Sequence, residues 1–79
     1  MVAEIKHKDP KYNARFTSTL WKNEDDYGNG TYMDIRRNGN EFKYIDCRYI
    51  TNFNEKETLM AVLKEYYGDN LLEINFIEE

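Results

Sequence analysis

Polar and apolar residues alternate strictly along two stretches of this chain. Tyr32-Met33-Asp34-Ile35-Arg36 is followed twelve residues later by Tyr44-Ile45-Asp46-Cys47-Arg48, so both read Tyr-apolar-Asp-apolar-Arg. A period of two is the mark of a β-strand with one greasy and one polar face. Asn38-Gly39-Asn40 between them is a hairpin signal. The pattern predicts strands over about residues 31–37 and 41–50. Their register decides which side chains share a face, because a slip of one residue inverts a strand. A two-residue Asn38-Gly39 turn pairs Arg36 with Glu41 and Met33 with Tyr44. A three-residue loop pairs Arg37 with Glu41 and Met33 with Ile45. The second is preferred, since it separates apolar from charged positions on both strands. It puts Met33, Ile35, Ile45, Cys47 and Tyr49 on one face and Tyr32, Asp34, Arg36, Phe42, Tyr44, Asp46 and Arg48 on the other.

The β-branched and aromatic content of residues 14–22 favours another strand. Phe16, Ser18 and Leu20 share one of its faces; Arg15, Thr17, Thr19 and Trp21 share the other. A polar loop with two glycines follows over residues 23–30. Asn54 fits a helix N-cap with Glu57 three residues on, and Leu59, Val62, Leu63 and Tyr66 recur at helical spacing, with Met60 and Tyr67 at the edges. Gly68 suits the helix end. Residues 71–77 alternate again and read as a last strand, with Leu72, Ile74 and Phe76 on one side. Asp9-Pro10 interrupts the N-terminal segment, so residues 1–13 are expected to be a loosely ordered arm. The fold class is therefore α+β: an antiparallel β-β-β meander, one α-helix and a final strand in a two-layer sandwich spanning 14–79. The last strand is expected beside 14–22, running parallel to it, and the second sheet face is left open.

At 79 residues the chain fits one domain with a modest core. No apolar run approaches the length that spans a bilayer, and no signal-peptide pattern is visible, so a cytoplasmic location is expected by default. The formal net charge of -4 disfavours general binding to nucleic acid, where affinity comes chiefly from Lys and Arg. Abundant Asn, Lys, Ile and Tyr point to an AT-rich bacterial genome, or a phage or mobile element within one.

The single His and single Cys offer no His/Cys metal set and no Cys-His pair. His7 falls in the arm, where solvation is expected, and Cys47 falls on the apolar face as a small core residue. Asp34 and Asp46 lie beside Arg36 and Arg48, which hold carboxylates ionised and passive. No catalytic residue, metal or cofactor is expected, and the chain reads as a non-enzyme. The candidate partner-binding set is Tyr32, Asp34, Arg36, Phe42, Tyr44, Asp46 and Arg48, joined by the acidic block Glu24, Asp25 and Asp26. Tyr and Arg are favoured at interface hot spots. The leading expectation is a protein-interaction module that binds a host protein and inhibits a nuclease or defence protein. Two alternatives stand beside it. One is single-stranded nucleic-acid binding on the aromatic face, as sheets that recognise RNA stack bases on exposed rings. The other is self-association as a homodimer.

Overall fold

In the computed structural model, which describes residues 1–23, 30–47 and 52–77, the two alternating segments form neighbouring antiparallel strands. These are β3 (Gly30–Arg37) and β4 (Asn40–Asp46). The turn between them has two residues, not three. Asn38 (φ 50°) and Gly39 (φ 83°) both take the left-handed conformation that a tight hairpin turn of this hand requires. Arg37 faces Asn40 and Arg36 faces Glu41, after which the register shifts by one. Beyond the shift Ile35 faces Lys43, Asp34 faces Tyr44 and Met33 faces Ile45. The tip thus has one of the two registers weighed from the sequence, and the rest of the hairpin has the other.

The residue left over is Phe42, a β-bulge. The bulge corrects its expected place on the polar face. Its ring packs edge-on against Phe16 at 5.1 Å and Tyr66 at 5.0 Å, under the helix. Strict alternation cannot anticipate this, because one extra residue resets the parity. Covering a phenyl group is the physical gain, about 1.5–3 kcal/mol when burial is complete.

Residues 1–13 are not an arm. Val2–His7 form a strand, β1, that pairs antiparallel with β2 (Ala14–Asn23) on one side and with β5 (Leu71–Ile77) on the other. The sheet order is β4-β3-β2-β1-β5, and every pair is antiparallel. Asp9-Pro10 marks a connection between strands. Asp9 caps a short 3-10 turn over Pro10–Tyr12, its carboxylate accepting from the Lys11 N–H at 3.3 Å. β5 keeps the expected direction, the same as β2 and β4, but lies beside β1 rather than β2. A second bulge sits in β5: Lys6 faces Glu73 whereas His7 faces Leu71. Leu71 therefore packs on the core, and Leu72, expected on the apolar side with Ile74 and Phe76, is 63% exposed.

The helix α1 (Glu55–Tyr67) follows the sequence closely. The Asn54 side chain accepts from the Glu57 N–H at 3.0 Å, and the N–H of Gly68 (φ 57°) closes on the Lys64 carbonyl. Leu59 and Leu63 are fully buried against Ala3, Ile5, Phe16, Met33 and Ile35. In the last turn the partition is reversed from expectation: Tyr67 joins the core beside Phe16, while Tyr66 is exposed at its rim.

Ser18 also points into this layer, in the row with Ile35, and its hydroxyl has no hydrogen-bond partner. An unmet buried hydroxyl costs about 1–3 kcal/mol. Ser18→Ala is accordingly expected to stabilise the fold by about 0.5–1 kcal/mol, after the weaker strand preference of Ala is allowed for. A higher urea midpoint at unchanged slope is the readout.

Candidate functional site

The face turned away from α1 is built by pairing. Across β2, β3 and β4 the register aligns Trp21 with Tyr32 and Asp46, Thr19 with Asp34 and Tyr44, and Thr17 with Arg36 and Glu41. Residues directly opposite in a sheet point the same way, so the first two rows bring five large or charged side chains onto one surface. Tyr32 and Tyr44 are diagonal neighbours whose rings stack at 5.5 Å and 16°. Tyr44 is 56% exposed and Trp21, next to Tyr32, is 57% exposed. Arg36 donates from Nε to Asp34 Oδ2 at 3.2 Å, and Asp34 is largely covered while the guanidinium stays in water. That contact fixes the two side chains in the plane of the face, at a surface-pair strength of about 0–1 kcal/mol.

Five of the residues expected in the partner-binding set are therefore together: Tyr32, Asp34, Arg36, Tyr44 and Asp46. Phe42 is on the opposite side, as described. Arg48, Glu24, Asp25 and Asp26 lie outside the described residues, as does Tyr49. Trp21 belongs to the surface and was not in the set. The signal for it was present in the parity of β2, where Phe16 and Trp21 are on opposite faces, but it needed knowledge of which face was buried.

The other half of the face, over β1 and β5, has a different chemistry. Glu4, Lys6, Glu73 and Asn75 are exposed there, with Lys6 Nζ 3.4 Å from Glu73 Oε2. Val2 lies between Thr17 and Ile77 and is nonetheless buried, so small apolar ground at the centre is covered by its neighbours. The surface is thus divided into an aromatic end and a charged end.

Cys47 is buried with the core cluster, its Sγ 3.7 Å from the Ile45 carbonyl. Burial, then the neighbouring charge of Asp46, pushes its thiol pKa up, with a backbone hydrogen bond from Met33 acting the other way. A protonated, covered thiol is a poor nucleophile. Among the described residues no three His, Cys, Asp or Glu side chains come together as metal ligands, and no helix is long and apolar enough to cross a membrane. No protein-family model, curated protein or solved structure gives a significant match to the chain.

Proposed function

We propose that this chain is a protein-interaction module and that the aromatic end of its open sheet face meets the partner. The observation that carries the reading is an exposed Trp21 beside the stacked Tyr32–Tyr44 pair, on a face with no second layer of described structure over it. Large rigid rings flanked by an arginine are the composition of interface hot spots. Asp34 and Asp46 in the same patch, with a net charge of -4, favour a protein over a phosphate backbone. The chain's size, acidity and residue bias support the narrower reading, an inhibitor of a host nuclease or defence protein made by a phage or mobile element.

The test is the double variant Trp21→Ala/Tyr44→Ala. Hot-spot rings each contribute about 2 kcal/mol or more, so the affinity of the captured partner should fall at least thirtyfold. The far-ultraviolet circular dichroism should stay unchanged, since neither ring is in the core. Retained affinity in the folded variant would overturn the proposal. Salt-sensitive quenching of Trp21 by oligonucleotides would replace it with nucleic-acid binding. Concentration-dependent light scattering lost in the variant would replace it with self-association.

A further inference from the structure

A cleft of about 600 Å³ opens on the helix side of the sheet, where β1, the Asn38 turn and the end of α1 converge. It is remote from the Trp21 end of the open face. Its size falls within the range of small-ligand pockets, roughly 300–1,000 Å³. The sequence gave no hint of it, because it depends on β1 being a strand. His7, expected to be solvated, stands here between the rings of Tyr12 (5.1 Å) and Tyr67 (5.7 Å).

The polar groups of this cleft have a common bias. His7 Nδ1 accepts from the Asp9 N–H at 2.9 Å, so the ring proton sits on Nε2. The Asn13 side-chain oxygen accepts from the His7 N–H at 2.8 Å, and that of Asn38 accepts from the Arg15 N–H at 2.9 Å. Each amide then presents its NH₂ group. The Asn70 carbonyl is engaged by the Lys8 N–H at 2.9 Å. Arg37 hydrogen-bonds the phenols of Tyr67 and Tyr66, which raise its pKa further above the ordinary guanidinium value. Those phenol oxygens act as acceptors toward Arg37, leaving their O–H groups to donate. Lys11 completes the wall, paired at 3.6 Å with Asp9, which is outside the lining. Among the described residues no carboxylate lines the cleft. Acceptors are engaged and donors remain.

Such a lining fits an anion with several oxygens. Tyr12 and Tyr66, each more than half exposed, add free ring surface for a flat group. We propose that this cleft binds a small phosphate monoester carried on a planar ring, of the size of a nucleoside monophosphate.

The test uses the whole chain, titrated with adenosine monophosphate, adenosine and inorganic phosphate while ¹H–¹⁵N spectra are recorded. Saturable shifts in the side-chain amides of Asn13 and Asn38 are expected with the monophosphate. Adenosine and inorganic phosphate should each bind at least tenfold more weakly, since each supplies only half of the recognition. Arg37→Gln should weaken the monophosphate at least tenfold. Lys11→Gln, on an exposed turn, should weaken it several-fold and serves if the first variant unfolds. No saturable shift, shifts centred elsewhere, or unchanged affinity in a folded variant would overturn the assignment.

Discussion

Phe16→Ala is expected to lower stability by about 3–5 kcal/mol, the cost typical of removing a fully buried aromatic ring. Phe16 has no exposed surface and stands where three elements meet. Its ring touches Phe42 from the β4 bulge and Tyr67 from the last turn of α1, and its strand pairs with β1. The lost area is therefore only part of the effect. A cavity at that place also removes the surface on which the bulge and the helix end rest, and a β-hairpin tip cannot collapse into it without breaking its tight turn. Small domains have total stabilities of about 5–15 kcal/mol, and one of 79 residues lies toward the low end. Thermal unfolding followed by circular dichroism should show a midpoint lower by about 15 °C or more. Phe42→Leu, which keeps most of the apolar volume at a partly covered site, should fall by only about 1 kcal/mol.

Ile5→Asp should be equally damaging, and it separates two views of the N-terminal segment. In a loosely attached arm the substitution would be silent. In the structure Ile5 is buried in the middle of the sheet, opposite Ala14 and Ile74. A carboxylate there has no cationic partner among the core residues, and an uncompensated buried charge costs about 3–5 kcal/mol. Lys6→Asp is the control: Lys6 is exposed, and loss of its surface pair with Glu73 should change stability by about 1 kcal/mol or less. A strand demands this contrast between adjacent positions. Hydrogen exchange adds a second readout, because the amides of β1 should be protected to the level of those in β2.

The contrast also explains how much of the fold was legible in the chain. Helix α1 could be read to the residue at both ends, since its caps are local: Asn54 and Gly68 act on groups within four positions. The strands 14–22 and 71–77 were readable from composition and alternation, and so was the polar face of Tyr32, Asp34, Arg36, Tyr44 and Asp46. β1 was not readable. It is only six residues long, and its order comes from β2 and β5, eleven and more than sixty positions away in the chain. The two bulges escaped for a related reason. A bulge is chosen by what the displaced side chain meets across the layer, as Phe42 meets Phe16, and no neighbour in sequence records it. The cleft beside His7 inherits both difficulties, so none of its lining could be assembled from spacing alone.

Both bulges lie on the outermost strands, Phe42 in β4 and Leu72 in β5. An open five-stranded sheet has two borders of unpaired amide and carbonyl groups, each a template on which another chain could add a strand. A straight border can be copied indefinitely. A border with one surplus residue breaks the hydrogen-bonding rhythm and turns the strand aside, so an incoming chain finds matching partners for only a few residues. The displacements that hid Phe42 and Leu72 from a reading by parity thus also act as stops against end-to-end growth of the sheet. They leave its broad surfaces, rather than its borders, as the ground for contact with other molecules.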